Sequence, residues 1–130
     1  MAYDFTLQCL LPAAPKKVFD TWLSSKGHSA MTGGAAKMSK RLGASVSAWD
    51  GYITGKNLKL TEGKCIVQSW RTSEFSNDHA DSKITITLTP HKNGCKLTLH
   101  HEGVPNGQTD YEKSGWQSHY FEPMAAYFSI

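Results

Sequence analysis

The sequence predicts an α+β domain in which a curved six-stranded antiparallel sheet surrounds one long C-terminal helix. Three observations lead to this prediction: the C-terminal stretch has a helical apolar period, several segments alternate with period two, and turn signals join successive segments as hairpins. Hairpin runs give an antiparallel meander, and helices gathered on one face complete an α+β fold. A length of 130 residues fits one domain, which we assign to residues 1–130.

The first strand is predicted over residues 3–11, where alternate side chains are apolar. Pro12 ends this strand, and Pro15 suits the first position of a helix, which needs no N–H donor. The apolar face of this short helix consists of Val18, Phe19, Trp22 and Leu23.

A second short helix is predicted to follow, capped by Ser25 and reaching Met31. The segment Thr32–Ala36 has no periodicity and contains two adjacent glycines, which favours a flexible connection. We expect this segment to form a mobile rim of the space between sheet and helix.

Two strands over residues 43–49 and 52–60 are predicted to pair, because Asp50-Gly51 between them is typical of a tight hairpin. Gly55 lies inside the second of these strands and indicates a bulge or a close approach of two backbones.

Three more strands are predicted over residues 64–72, 83–89 and 95–102, with a polar loop over 73–81. Asn93-Gly94 supplies the positive φ angles that a tight turn between the last two demands. Alternation in the first of the three places one set of side chains on a common face, namely Ile66, Gln68 and Trp70.

The long helix is predicted over residues 109–128, with Thr109 and Glu112 in the spacing of a capping box. Pro123 lacks an N–H and predicts a kink, since its ring would clash with the His119 carbonyl in a regular helix. The apolar stripe comprises Trp116, Tyr120, Phe121, Met124, Ala125, Tyr127 and Phe128.

Composition excludes several classes of protein. No apolar run is long enough to span a membrane and no leader pattern precedes the first strand, so we expect a cytoplasmic protein without membrane insertion. A net charge of +3 without a basic run argues against nucleic-acid binding. Three widely spaced cysteines, Cys9, Cys65 and Cys95, predict buried thiols and neither disulfides nor a zinc site.

The charge is unevenly distributed along the chain. Residues 1–71 hold 10 basic and 4 acidic side chains, whereas residues 72–130 hold 4 basic and 7 acidic ones. Such an excess is either a solvated face or a docking patch for an acidic partner. The candidate partner-binding residues are Lys37, Lys40, Arg41, Lys56 and Lys59.

Several short stretches together resemble a known family, the activator of heat-shock protein 90 ATPase homologue family. The similarity covers essentially the whole chain, in order, and is carried by Pro15–Trp22, Asp50-Gly51 with Gly55, Gln68–Arg71, Ile84–Thr89, His100–Pro105, and Gly115-Trp116 followed by Tyr120-Phe121. The resemblance implies the helix-grip fold of the START-like, SRPBCC superfamily. It also implies a cavity between sheet and helix that holds an apolar or amphipathic small molecule.

The same resemblance implies a second function. The eukaryotic co-chaperone members bind the heat-shock protein 90 dimer and stimulate its ATPase, and they carry a separate N-terminal domain that makes major chaperone contacts. This chain corresponds to their C-terminal domain alone. Cyclases of the superfamily suggest a third function, an enzyme that uses the same cavity.

The aromatic residues exceed what a minimal core requires and are either core packing or the lining of a cavity. Trp70, Trp116 and Tyr120 are the favoured lining residues, with Arg71 or His101 as the polar group that orients a ligand head. The complete predicted ligand cavity comprises Phe19, Trp22, Met31, Trp70, Arg71, Leu97, Leu99, His101, Trp116, Tyr120 and Met124.

Catalytic and metal sites are not predicted. His100 and His101 are neighbours on a strand and point to opposite faces, so they cannot chelate one ion together. A nucleophile pairing Cys65 or Cys95 with His101 is conceivable, but the strand pattern suits unreactive buried thiols. We therefore expect no cofactor, no metal and no catalytic residue. The leading hypothesis is a ligand-binding module, with a chaperone-associated protein and a cyclase-like enzyme as alternatives.

Overall fold

The computed structural model describes residues 2–92, 94–105 and 109–129, with only the backbone described for residue 2 and residues 109–112. The strands are β1 (Ala2–Leu11), β2 (Ser45–Ala48), β3 (Ile53–Thr61), β4 (Cys65–Thr72), β5 (Ser82–His91) and β6 (Gly94–Pro105). The helices are α1 (Pro15–Trp22), α2 (Ser25–Thr32), α3 (Thr109–Trp116) and α4 (Glu122–Phe128), with a π-helical segment, Gln117–Phe121, between the last two.

The six strands form one antiparallel sheet in the order β1-β6-β5-β4-β3-β2. Strands β2 to β6 are a meander of hairpins, and β1 pairs with β6 to close the opposite edge. This confirms the predicted sheet around a C-terminal helix. The inner face carries the apolar alternation of the sequence and forms the core with Ile66, Ile84, Ile86, Leu97 and Leu99.

Glycines at two strand positions allow close contact between backbones. A Cβ on Gly55 would overlap the carbonyl of Ser69, and a Cβ on Gly94 would overlap that of Leu11. The predicted close approach at Gly55 is therefore confirmed. Lys92 has φ 49° in this turn, and the predicted Asn93-Gly94 turn includes Asn93, which lies outside the described residues.

The turn between β2 and β3 is wider than the predicted two-residue hairpin. Ala48 pairs with Ile53, and the chain turns through a 3₁₀ segment, Trp49–Gly51, with three consecutive positive φ angles of 54°, 59° and 90°. This left-handed geometry projects Trp49 out of the strand alternation.

The short helices follow the prediction with one correction. Helix α1 begins at Pro15, and α2 is capped by Ser24 rather than Ser25, since the Ser24 hydroxyl accepts the N–H of Gly27 at 3.0 Å. Helix α2 ends at Gly33, which has φ 88°. The sequence could not separate two adjacent serines that both suit an N-cap.

The C-terminal helix departs from regular α-helical geometry directly before Pro123, the residue at which a kink was predicted. The N–H of Glu122 donates to the carbonyl of Gln117, five residues back, and this π-helical turn lies directly before Pro123. The widened turn relieves the clash that the proline ring would make with the His119 carbonyl in a regular helix. The proposed capping box of Thr109 and Glu112 involves side chains outside those the structure describes.

The cysteines are less uniform than predicted. Cys95 is buried, whereas Cys9 and Cys65 are half-buried, and Cys65 lies on the outer face of the sheet opposite Thr87. Burial, with a smaller contribution from Cys95, raises the pKa of the Cys9 thiol to about 12, and burial raises that of Cys95 to about 11. Both thiols are protonated at neutral pH and poor nucleophiles.

In the part of the chain that the structure describes, no helix is both long enough and apolar enough to cross a membrane.

Candidate functional site

A cavity of about 280 Å³ lies between one end of the sheet and the C-terminal helix. The sheet contributes the paired residues Ile53 and Thr72 with Trp70, and the helix contributes side chains one turn apart. The full lining is Trp49, Tyr52, Ile53, Trp70, Thr72, Gly115, Trp116, His119 and Tyr120. The lining is mainly aromatic, which is typical of a site for an apolar or planar ligand.

Aromatic rings fill the region beneath this cavity. Trp116 stacks on Trp70 with ring centroids 5.0 Å apart and on Trp22 with ring centroids 6.2 Å apart. Tyr120 packs against Trp116 at 4.9 Å. The space between sheet and helix is therefore largely occupied by protein, and the cavity is confined to the end where β3 and β4 meet the π-helical segment.

Trp116 is fixed from behind by His101, which lies on β6. The indole N–H of Trp116 donates to Nδ1 of His101 at 3.1 Å. Because the indole can only donate, Nε2 of His101 carries the imidazole proton and donates to the Ser82 hydroxyl at 2.8 Å. Ser82 in turn donates to the carbonyl of Trp70. Burial, with a smaller contribution from His100, lowers the pKa of His101 to about 3, so this imidazole is neutral.

Tyr120 is fixed by a second buried histidine, His28 of α2. Nδ1 of His28 donates to the carbonyl of Trp22 at 2.9 Å, so Nε2 accepts the Tyr120 hydroxyl at 2.9 Å. Burial lowers the pKa of His28 to about 4 and raises the pKa of Tyr120. Two neutral histidines thus set the positions of two cavity walls.

The cavity walls contain unsatisfied hydrogen-bond donors. The indole N–H of Trp70 is buried and has no hydrogen-bond partner among the described residues, and that of Trp49 is buried beside the Tyr120 hydroxyl without a regular hydrogen bond to it. A buried donor without a partner costs about 1 to 3 kcal/mol, so such groups are uncommon and call for an explanation. An acceptor atom brought by a ligand or by water would satisfy them.

The segment predicted as a rim packs against the cavity wall. A Cβ on Gly34 would lie 2.6 Å from Cε3 of Trp49, so the absence of a side chain lets the backbone rest on the indole. Two further hydrogen bonds hold this connection to the same turn, from the N–H of Ala35 to the Asp50 carboxylate and from the N–H of Asp50 to the Ala35 carbonyl. The mobility of the rim stays a prediction.

Of the predicted cavity residues, Trp70, Trp116 and Tyr120 line the observed cavity. Seven others are buried core residues that do not line it: Phe19, Trp22, Met31, Leu97, Leu99, His101 and Met124. These seven side chains pack in the core around the aromatic cluster, away from the observed cavity.

Arg71 was assigned the wrong position as a ligand-orienting group. It lies on the outer face of β4, opposite to Trp70, and donates to the carbonyls of Ser76 and His79 at 2.7 Å and to the Asp81 carboxylate at 3.0 Å. These contacts hold the loop that follows β4. Alternation alone placed Arg71 and Trp70 on opposite faces, so the signal was present in the sequence.

The remaining cavity residues were missed. Ile53 and Thr72 are strand-end residues that alternation places on the same face as Trp70, Tyr52 lies in the turn before β3, and Gly115 leaves room beside Trp116. Trp49 could not have been predicted, because its position depends on the left-handed turn.

A buried polar network, also missed, ties the core to the loop before β2. The Trp22 indole donates to Gln68 at 3.1 Å, the Gln68 amide donates to Asn57 at 2.8 Å, and the Asn57 amide donates to the carbonyls of Ser39 and Arg41 at 2.9 and 3.0 Å.

Of the five predicted partner-binding residues, Lys37, Lys40 and Arg41 lie in the loop before β2, and Lys56 and Lys59 lie on β3. Lys37 and Lys56 line a groove of about 440 Å³ on the outer face of the sheet, and Lys59 lies on the same face. Lys40 is engaged with Asp20 at 2.6 Å. Among the described residues, the other four, Lys37, Arg41, Lys56 and Lys59, make no ion pair.

Comparisons with known proteins show which family this chain matches and which solved structures share its fold. The sequence model of the family described as "Activator of Hsp90 ATPase homolog 1-like protein" matches residues 12–129. A solved structure titled as an HSP90 activator from Plasmodium falciparum superposes with a TM-score of 0.87 at 21% identity, covering 97% of this chain and 96% of that chain. At that identity the superposition shows a shared fold.

Curated relatives are longer than this chain. An uncharacterized protein of Schizosaccharomyces pombe is 28% identical over 98% of this chain and 38% of its own length. The human protein named "Activator of 90 kDa heat shock protein ATPase homolog 1" is 24% identical over 95% of this chain and 36% of its own length. The chain therefore spans little more than a third of these two relatives.

Proposed function

Because the chain belongs to the Activator of Hsp90 ATPase homolog 1-like family, we propose that it is a non-enzymatic binding module for a small apolar or amphipathic ligand. The observation that carries this proposal is the cavity walled by Trp49, Trp70 and Trp116 at the junction of sheet and helix. Burial of apolar area in such a site contributes about 25 cal/mol per Å² before the losses of association are subtracted.

The walls suggest what the ligand looks like. A volume of about 280 Å³ suits a small ring system or a short chain rather than a long lipid. The unsatisfied indole N–H groups of Trp49 and Trp70 favour a ligand with an oxygen acceptor. Neighbouring atoms cover both groups, so an acceptor would reach them after a small rotation of either indole.

The enzymatic alternative has less support. Tyr120 is hydrogen-bonded to His28, as a nucleophile to its base would be, but burial raises the pKa of this phenol and keeps it protonated. Another hydroxyl in the cavity wall, that of Thr72, accepts the N–H of Glu74 at 3.1 Å and is therefore engaged with the backbone of the loop after β4.

The test is a titration with naphthalene-based fluorescent probes, followed through probe emission and tryptophan quenching. Gly115 offers a matched pair of variants, because a Cβ at this position meets nothing closer than Cδ2 of His119 at 3.9 Å. Gly115→Leu should fill the cavity and abolish binding, whereas Gly115→Ala should leave most of the volume. Both should fold at least as stably as the parent, since glycine in a helix costs up to about 1 kcal/mol relative to alanine.

We expect the parent and Gly115→Ala to bind at least one probe with a roughly micromolar dissociation constant. Equal affinity in the leucine variant would place the probe elsewhere on the protein. Absence of binding below about 100 μM in the parent would reject the ligand proposal.

A second candidate is binding to a heat-shock protein 90 chaperone, which the names of the relatives suggest, and for this function we propose a cytoplasmic location. The supporting observation on this chain is the basic outer face, where Lys37, Lys56 and Lys59 have no acidic partner among the described residues. Such a face suits an acidic surface.

This candidate is tested by chaperone co-precipitation and ATPase assays with the double variant Lys56→Glu/Lys59→Glu. Lys96→Glu/Lys113→Glu carries the same change of charge elsewhere and is the control. Binding lost in the first variant and kept in the second supports the candidate, and equal binding by all three proteins contradicts it.

A further inference from the structure

A group of potential metal ligands lies on the outer face of the sheet, on the opposite side from the cavity. The ligand atoms of Asp4, His100 and Glu102 all lie within 4.8 Å of one another. His100 and Glu102 are two residues apart on β6 and share a face, while Asp4 comes from the edge strand β1.

A bulge in the β1–β6 ladder brings the three side chains together. Tyr3 pairs with Val104 but Phe5 pairs with His101, so β6 has one residue more than β1 in this interval. Gly103 takes up the extra residue with φ 75°, and its N–H donates to Oδ1 of Asp4 at 3.0 Å. Alternation with the buried Phe5 places Asp4 on the face that carries Glu102, and the N–H of Gly103 at the bulge holds its carboxylate there.

The imidazole of His100 is oriented as a ligand requires. Its Nδ1 lies 2.8 Å from the Thr6 hydroxyl, and its Nε2 lies 4.0 Å from a Glu102 oxygen. A partner on one ring nitrogen fixes the ring and directs the other nitrogen toward a metal in many protein sites. Here the directed nitrogen is Nε2, which faces the carboxylates.

The charges in this cluster are not balanced. Two carboxylates face one lysine, Lys83, whose ammonium lies 3.5 Å from Glu102. Asp4 makes no ion pair with any described residue. A cation between Asp4 and Glu102 would compensate the remaining negative charge.

We propose that Asp4, His100 and Glu102 bind a divalent transition-metal ion such as Zn²⁺. One imidazole and two carboxylates form an N/O ligand set that suits this ion, and water completes the coordination. Small side-chain rotations bring the three ligand atoms to bonding distance. The bound ion joins the edge strand β1 to β6 at the bulge and stabilises the folded chain.

No metal site was expected from the sequence, because only the adjacent residues His100 and His101 suggested one. His101 faces inward to Trp116, as alternation requires. The two residues that complete the site with His100 are Glu102, two positions along β6, and Asp4, 96 positions earlier on β1. Only the register of the two strands shows that Asp4 lies beside them.

The experiment uses the untagged full chain, titrated calorimetrically with Zn²⁺ and spectroscopically with Co²⁺. We expect one equivalent to bind with a roughly micromolar dissociation constant and to raise the melting temperature. His100→Ala and Glu102→Gln should each weaken binding by about tenfold or more, whereas His91→Ala, on β5 away from the cluster, should not. Lys83→Met should strengthen binding, because it removes a competing cation.

Three results would overturn the proposal. Binding weaker than about 1 mM would show that the cluster is no site. Equal affinities of the parent and His100→Ala would place the ion elsewhere. Thiolate charge-transfer bands in the Co²⁺ spectrum would assign the ion to cysteine.

Discussion

The indole N–H of Trp116 lies 3.1 Å from Nδ1 of His101, and both side chains are buried. This bond joins the C-terminal helix to the strand β6 through the middle of the core. It also sets one wall of the cavity, since Trp116 lines it. Helix docking and cavity shape therefore depend on the same pair.

Trp116 should contribute to stability through both packing and its hydrogen bond. Trp116→Ala should lower the free energy of unfolding by about 3 to 5 kcal/mol. Trp116→Phe keeps most of the ring contact but leaves Nδ1 of His101 without a donor, which should cost about 1 to 3 kcal/mol. Urea denaturation followed by circular dichroism measures both. A loss under about 1 kcal/mol for the alanine variant would contradict the anchoring role.

Stability should fall in mildly acidic solution because of His28 and His101. Their pKa values are lowered by burial to about 4 and about 3, whereas both titrate near 6.5 in the unfolded chain. The unfolded chain therefore binds more protons between these values, so stability is full above pH 6.5 and declines as the pH falls toward 4 and 3. Each histidine should contribute a decrease of about 2 kcal/mol between pH 7 and pH 5.

Urea denaturation at pH 7 and pH 5 checks this expectation. His101→Gln removes one titrating group and should make the decrease with pH shallower, even if the variant is less stable at neutral pH. A variant and parent that lose the same free energy over this range would show that His101 is not the buried neutral group described above.

Much of the fold followed from the sequence because alternation and hairpin turns are local signals. Period two alone predicted that Ile66, Gln68 and Trp70 share one face of the strand, and in the structure all three are buried on the inner face. The π-helical turn before Pro123 was not predicted, since the sequence showed a conflict at the proline without showing how the backbone resolves it. The N-cap of α2 was assigned to Ser25 instead of Ser24 because the sequence cannot show which of two adjacent serine hydroxyls accepts the capping hydrogen bond.

The candidate site was less accessible from sequence. Periodicity identifies which side chains face inward, and it identified Trp70, Trp116 and Tyr120 correctly as inward-facing. It does not tell whether inward rings stack or leave a gap, because that depends on their mutual distances and angles. Trp22 and Trp116 stack at an interplanar angle of 15°, and this contact closes most of the predicted space.

Arg71 should organise the loop after β4 and have no role in ligand binding. Its guanidinium reaches two carbonyls and the Asp81 carboxylate, which a lysine ammonium cannot span. Arg71→Lys should cost about 1 to 2 kcal/mol and speed hydrogen exchange of amides in residues 73–81. Probe affinity should not change. A variant that binds probes poorly while this loop keeps its protection would restore the ligand role assigned to Arg71 from the sequence.

The adjacent glycines Gly33 and Gly34 should respond differently to substitution by alanine. Gly33 has φ 88° and open space around its Cα, so Gly33→Ala should cost about 1 to 2 kcal/mol of backbone strain and leave the cavity unchanged. A Cβ on Gly34 would lie 2.6 Å from Cε3 of Trp49, so Gly34→Ala must displace the indole that walls the cavity. We expect Gly34→Ala, but not Gly33→Ala, to shift tryptophan emission and weaken probe binding. Unfolding curves and probe titrations of the two variants separate strain from displacement, and matching probe affinities would show that the 32–36 segment does not set the position of Trp49.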